Sequence, residues 1–258
     1  MTISRDTRRR FLSRSLGGLA ALLGAGCDRL NQTEWFPRVL TSGEKISAAV
    51  HKTLVSRKAM AQEFTMADLS PSFRSNGTSN PDSALYQALA KDQFAHWALR
   101  VDGLVSAPRE FTLAQLKALP PRTQITRHDC VEGWSAIGKW TGVPLSQVLA
   151  AVQPTSAARY VVFHCADPME KDGSSPYYES IDMEDAHHPQ TILAYALNDA
   201  TLPIGNGAPL RLRVERQLGY KQAKYLMRLE LVDRLDDIHG GNGGYWEDGS
   251  GYQWYAGI

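Results

Sequence analysis

Cysteine is scarce in this chain of 258 residues: Cys27, Cys130 and Cys165 are all it has. Three thiols cannot build a disulfide scaffold or a four-cysteine zinc site. No Cys-x-x-Cys-His motif occurs, which excludes a c-type haem attachment site. Neither sign of charge dominates, with 28 basic against 27 acidic residues. That balance argues against nucleic-acid binding by bulk electrostatics and, with 43% hydrophobic residues, against a disordered chain. No apolar run reaches the roughly 18 residues needed to cross a bilayer as a helix. What is left is enough chain for one sizeable domain or two small ones.

The near-neutral total hides an uneven distribution. Residues 1–26 hold five arginines against Asp6, a local charge of +4 that leaves −3 over the rest. A basic start followed by the small, apolar stretch Leu16–Gly26 has the layout of an export signal. Thr7-Arg8-Arg9-Arg10-Phe11-Leu12 resembles the twin-arginine signal, whose machinery exports proteins already folded. Leu23-Gly24-Ala25-Gly26-Cys27 resembles a lipoprotein box, with the leucine one place further upstream than usual. These features predict a signal peptide over 1–26, a periplasmic location and a lipid anchor at Cys27, with ordinary cleavage nearby as the alternative.

Residues 27–67 read as an N-terminal segment with a helix at about 43–56, where Thr41 and Glu44 have capping-box spacing. Residues 68–84 are rich in Ser, Pro, Asn and Gly and read as an irregular connection. Helices are predicted over 82–94, after Thr112, from Pro144 to Val152, and from Pro189 to about Leu197. Strands are predicted over 96–103, 123–126, 160–165, 210–214 and 225–231. Residues 240–251, glycine-rich and aromatic, form either a draped loop or a closing arm. Strands and short helices alternate without a βαβ period, so a single mixed α+β domain over 68–258 is expected.

The densest chemistry lies in Arg127-His128-Asp129-Cys130-Val131-Glu132-Gly133-Trp134-Ser135. Nearby cations favour a thiolate, and Arg127 and His128 would supply them. Cys130 is then a metal ligand, a nucleophile or a buried small hydrophobe, and its chemistry alone leaves all three open.

Trp97-x-Leu99-x-Val101-x-Gly103-Leu104-Val105, Cys130-Val131-Glu132-Gly133-Trp134, Asn206-Gly207-Ala208-Pro209-Leu210-Arg211 and Gly219-Tyr220-Lys221-Gln222-Ala223-Lys224 together resemble the molybdopterin domain of the sulfite oxidase family. The likeness runs from about Phe73 to Leu231. It is nearest the bacterial branch that holds the catalytic subunit of periplasmic methionine sulfoxide reductase.

The resemblance implies a mixed-sheet fold and a molybdenum ion on one molybdopterin, with Cys130 as the protein's thiolate ligand. It implies that Arg211 and Lys224, with the amides of Gln222 and Ala223, hold the pterin phosphate. Asn206 and Asn76 would bond the pterin, and Cys165 falls where that branch has a threonine touching it. Glu132 would position Cys130 or relay protons. Tyr178 would be the tyrosine brought towards the metal. His187 and His188 read as helix-cap residues rather than ligands. Arg213 and Arg216 are the charges available to a sulfite-like anion, but Gln217 and Leu218 stand where some relatives have a Trp-like segment, which weakens the case for sulfite.

The implied activity is transfer of an oxygen atom to or from a small oxo-substrate, S-oxide or N-oxide reduction before sulfite oxidation. Electrons would pass to or from a separate partner, a membrane haem protein or a soluble cytochrome. Two rivals remain. One is a thiol hydrolase using Cys130 with His128. The other is a cofactor-binding relative without turnover.

Overall fold

The computed structural model describes residues 58–170 and 175–258, with Thr33, Trp35 and Gly43 besides. The expected signal segment, Cys27 and all but the first residue of the helix expected over 43–56 lie outside the described residues. The chain divides into two compact units, Met1–Arg57 and Lys58–Ile258, and the second is described below.

The second unit is mixed α+β and is organised around two five-stranded sheets. The first sheet has β1 (Ala98–Gly103), β2 (Arg109–Thr112), β5 (Tyr160–Pro168), β6 (Pro176–Asp182) and β10 (Leu226–Val232), in the order β2-β1-β10-β5-β6. β1 and β10 run parallel and the other neighbours antiparallel, so this sheet is mixed. The second sheet has β3 (Arg122–Cys130), β4 (Trp134–Pro144), β7 (Ile192–Leu197) and β8 (Ala200–Thr201) in that order, and β9 (Arg211–Arg213) also pairs with β7.

The helices are short. α1 (Ala84–Lys91) begins at Ser83, whose hydroxyl accepts from the Tyr86 amide. α2 (Leu113–Ala118) has the capping box expected of Thr112 and Gln115. α3 (Leu145–Val152) buries Leu145, Val148, Leu149 and Val152, the spacing seen in the sequence. α4 spans Met183–Ala186, with His187 at its C-terminal cap, and α5 spans Tyr245–Ser250. In β1, Leu99 and Val101 are buried and Arg100 is exposed, the alternation of a half-buried strand.

One expectation is overturned. Residues 192–197 form a strand, not the helix expected from Pro189 onwards. The run Ile192-Leu193-Ala194-Tyr195-Ala196-Leu197 lies between β4 and β9 and is apolar throughout, so it shows no period-two alternation. A short apolar run does not distinguish strand from helix until its neighbours are known. Gly142 permits the pairing: a Cβ there would stand 2.3 Å from the Leu193 carbonyl oxygen.

A large apolar core includes Leu99, Val101, Leu149, Phe163, Leu193, Leu212 and Leu229. A second cluster gathers Ile192, Ala194, Leu197, Leu202 and Phe73 around Trp140. Trp140 is fully buried, edge-on to Phe73 at 4.9 Å, with the guanidinium groups of Arg211 and Arg213 4.9 and 4.4 Å from its ring centre. Trp140→Ala should therefore remove both a core ring and two cation–π contacts. The expected loss is about 3–5 kcal/mol of unfolding free energy, read from chemical denaturation.

Candidate active site

The turn after β3, the loop at 76–78, the end of β5, the start of β6 and the segment 219–224 converge on one cavity of about 240 Å³. Cys130, Glu132, Asn76, Gln222 and Lys224 line it, which brings together five of the residues singled out in the sequence. Cys130 is the last residue of β3 and is partly exposed. Burial pushes its thiol up from the ordinary range; the Glu132 amide and Arg74 oppose that rise and the Glu132 charge adds to it. The Glu132 carboxylate accepts from the Trp134 indole at 2.9 Å.

Arg127 and His128 do not supply the expected charge. Arg127 pairs with Asp129 at 3.0 Å. His128 is fully buried, and burial together with Arg213 and Arg211 holds its imidazole well below the ordinary range, hence neutral. Its Nδ1 lies 3.1 Å from Arg213 Nη1, and it does not line the cavity. The Cys130–His128 pair of a thiol hydrolase is therefore not assembled there.

Lys224 is 7% exposed, and its ammonium group donates to the carbonyl oxygens of Asn76 (2.6 Å), Gly205 (3.2 Å) and Thr78. Arg211 is fully buried and donates to the carbonyl oxygens of Asn206 (2.9 Å) and Gln222 (3.3 Å). Gly207 makes this arrangement possible. Its φ is +109°, and a Cβ there would lie 3.0 Å from Lys224 and 3.1 Å from Arg211. Among the described residues neither cation makes an ion pair with a carboxylate. Burial first, and Arg211 second, lower Lys224 to about 7. Burial, then Arg213, lowers Arg211 to about 9.

Other residues fall behind the cavity wall. Asn206 is buried, with Nδ2 lacking a partner. Cys165 is buried and reduced, its thiol pushed well up by burial, and no disulfide joins it to Cys130. Ala223 is fully buried, its carbonyl accepting from Leu212 at 2.8 Å. The Gln222 amide, expected to face a phosphate, donates to the Gly219 carbonyl at 3.1 Å. Arg213 pairs with Glu215, and Arg216 stands 3.8 Å from Asp185; neither lines the cavity.

Of the neighbouring pair Tyr177 and Tyr178, it is Tyr177 that lines the cavity. Neighbouring residues of a strand face opposite ways, so β6 can present only one of them. Tyr178 donates to the carboxylate of Asp248 and stacks against His239 at 4.2 Å. Tyr177 donates to the Tyr220 carbonyl at 2.5 Å. Asp167, Met169, Trp246 and Tyr252 also line the cavity and belong to no motif noted in the sequence. Asp167 is buried, with Oδ1 unpartnered, and burial raises its carboxyl to about 6.

A thiol open to a cavity, backed by two buried cations that form no ion pair among the described residues, suits a cofactor that brings an anionic end and a thiophilic metal. The sequence profile of the oxidoreductase molybdopterin-binding domain matches residues 86–239. The chain belongs to that family: it is a molybdopterin-dependent oxidoreductase, and its cofactor is molybdenum on molybdopterin. It is 38% identical, over 99% of its length and 89% of the relative's, to a protein of Azospira oryzae named provisionally as protein-methionine-sulfoxide reductase subunit YedZ1. It is 37% identical to the protein-methionine-sulfoxide reductase catalytic subunit MsrP of Ralstonia nicotianae, over 61% of its length. It spans half of that relative's length. Among solved structures, sulfane dehydrogenase SoxCD of Paracoccus pantotrophus is 25% identical, with a TM-score of 0.49 over 54% of this chain and 38% of that one.

The residues present fit this cofactor. Arg211 Nε and Asn206 Nδ2 are buried donors without acceptors, and a phosphate and the carbonyl and ring nitrogens of a pterin are acceptors that can satisfy them. Cofactor-free protein should gain stability as pH rises from about 7 to about 8.5, below the range where Arg211 and the cysteine thiols titrate. The unfolded chain keeps the Lys224 proton to about pH 10.5, whereas the folded chain releases it near 7, so the unfolded state binds more protons in that window. The slope should be about 1.4 kcal/mol per pH unit and should vanish in Lys224→Met, measured by denaturant midpoints across that range.

Proposed function

We propose that this chain is the catalytic component of an S-oxide reductase, taking the oxygen from a neutral substrate such as methionine sulfoxide. The observation that carries this reading is the charge of the cavity wall. Among the described residues Lys224 is the one cationic side chain lining it, and the cofactor phosphate claims that charge. Arg213 and Arg216 are committed to Glu215 and Asp185. A sulfite anion would thus find no arginine among the described residues lining the cavity, with Arg74 outside the lining over the Trp134 ring, whereas a neutral S-oxide needs none. The names of the Azospira and Ralstonia relatives support the same substrate class.

The bound cofactor supplies two-electron oxygen-atom exchange. Cys130 holds the metal, and Glu132 fixes the turn that presents Cys130 through its bond to Trp134. Arg211, Lys224 and Asn206 hold the pterin and its phosphate, with Asn76 and Gln222 in the wall beside them. Cys165 and Ala223 pack behind that wall. Each turnover joins the S-oxide oxygen to two protons and two electrons, yielding a thioether and water. Asp167 Oδ1, unpartnered in the wall, is the group that carries protons in. Tyr177, held at the Tyr220 carbonyl, faces the substrate from β6 in place of Tyr178. Electrons come from a separate haem partner in the membrane or a soluble cytochrome. The protein is exported folded by the twin-arginine machinery through the signal at Thr7–Leu12 and anchored in the periplasm at Cys27. No helix among the described residues is long and apolar enough to cross a membrane.

Protein recovered from the periplasmic membrane fraction should contain one molybdenum per chain. Cys130→Ala should lower reduction of methionine sulfoxide by a reduced dye at least about 10³-fold. Sulfite oxidation faster than sulfoxide reduction by the unmodified protein would reject the reading. Asp167→Asn should lower turnover about 10- to 100-fold at pH 6 and flatten the fall in rate as pH rises above 6, because the unmodified carboxyl loses its proton there.

A further inference from the structure

The family match ends at residue 239, but the cavity wall continues beyond it. Trp246 and Tyr252, both from the segment 240–258, line the same cavity as Cys130. Their rings stack at 5.8 Å with 27° between planes, and Tyr252 meets Tyr220 edge-on at 5.0 Å. Met169 and Val131 add apolar surface to the wall. Tyr252 is 37% exposed and Val131 45% exposed, so this apolar margin reaches solvent at the cavity mouth.

The segment is held down rather than draped. Lys221 forms buried ion pairs with Glu247 of α5 at 2.6 Å and with Glu179 of β6 at 2.5 Å. Ser180 donates to the Gly243 carbonyl at 2.5 Å and accepts from the Trp254 indole at 2.8 Å. The Leu218 amide donates to Ala256 at 2.9 Å, and the Ile258 amide to Arg216 at 3.0 Å. Lys221 belongs to the same turn as Gln222 and Lys224, so one short segment fixes both the polar wall and the aromatic one.

We propose that Trp246 and Tyr252 recognise the alkyl end of the substrate and so select an S-oxide flanked by methyl and methylene groups, as in an oxidised methionine side chain. This rests on the S-oxide reading above. Aromatic rings attract polarizable sulfur and its methyl groups and offer nothing to a small oxyanion. A mouth open to solvent admits a side chain that is still attached to a peptide.

The test uses the molybdenum-loaded enzyme and its Trp246→Ala, Trp246→Phe, Tyr252→Ala and Tyr252→Phe variants. N-acetylmethionine sulfoxide is the substrate, with molybdenum content measured in each. Both alanine variants should raise KM about tenfold with kcat within about threefold and molybdenum retained, and both phenylalanine variants should restore KM. Unchanged KM in both alanine variants overturns the proposal, as does failure of phenylalanine to restore it. If Trp246→Ala loses molybdenum, the partly exposed Tyr252 pair decides. Should the unmodified enzyme reduce no S-oxide, the reading of function fails. Calorimetric binding of the thioether product N-acetylmethionine then judges the aromatic site separately: loss of binding in both alanine variants sustains it, and equal binding rejects it.

Discussion

Two positive charges buried against backbone carbonyl oxygens, with no carboxylate in ion-pair contact among the described residues, dominate this structure. Arg211 and Lys224 are held by backbone carbonyl oxygens, by Trp140 beside Arg211, and by a glycine at 207 that lets the two side chains share one position along the chain. Carbonyl dipoles soften the cost of burial but do not cancel a charge. The fall of Lys224 to about 7 expresses that cost. An anion bound at the site reverses it, so cofactor binding and folding of this region are linked.

The other buried cations are treated differently. Arg213 forms a two-pronged pair with Glu215, which also accepts from Gln124 at 2.8 Å. Lys221 lies between Glu179 and Glu247. Burial would lower Lys221, but the two carboxylates more than offset it, and burial holds Glu179 far above the usual carboxylate range. The Arg213–Glu215 pair is neutral, and the Lys221 group is neutral with Glu179 protonated, so both serve as scaffolding. They tie the second sheet together and latch the last segment of the chain onto β6. The contrast separates cations paired with carboxylates from Arg211 and Lys224, which meet carbonyl oxygens, a distinction that composition hides.

The cavity has a polar side formed by Asn76, Asp167, Gln222 and Lys224, and an aromatic side formed by Tyr220, Trp246 and Tyr252. Cys130 enters from the tight turn between β3 and β4, whose register pairs it with Trp134. Such a site suits a cofactor with an anionic tail and a substrate without charge.

Much of this was legible in the chain itself. The helical spacing of Leu145, Val148, Leu149 and Val152, the Thr112–Gln115 cap and the alternation in β1 are local patterns, and local physics produces them. The motifs around Cys130, Asn206 and Lys224 marked the family, because they are contiguous runs that can be read without the fold. Other features depend on what lies across space. Residues 192–197 became a strand because β4 and β9 flank them. Tyr177 took the cavity from Tyr178 through the facing of β6, which no spacing in the sequence reveals. Asp167, Trp246 and Tyr252 sit in no motif, and only the closure of the segment 240–258 over the site brings them to Cys130. The sequence thus determined which chemistry this protein carries. The tertiary structure decided which cations lack an ion pair and which rings line the cavity, because both depend on contacts between segments far apart in the chain.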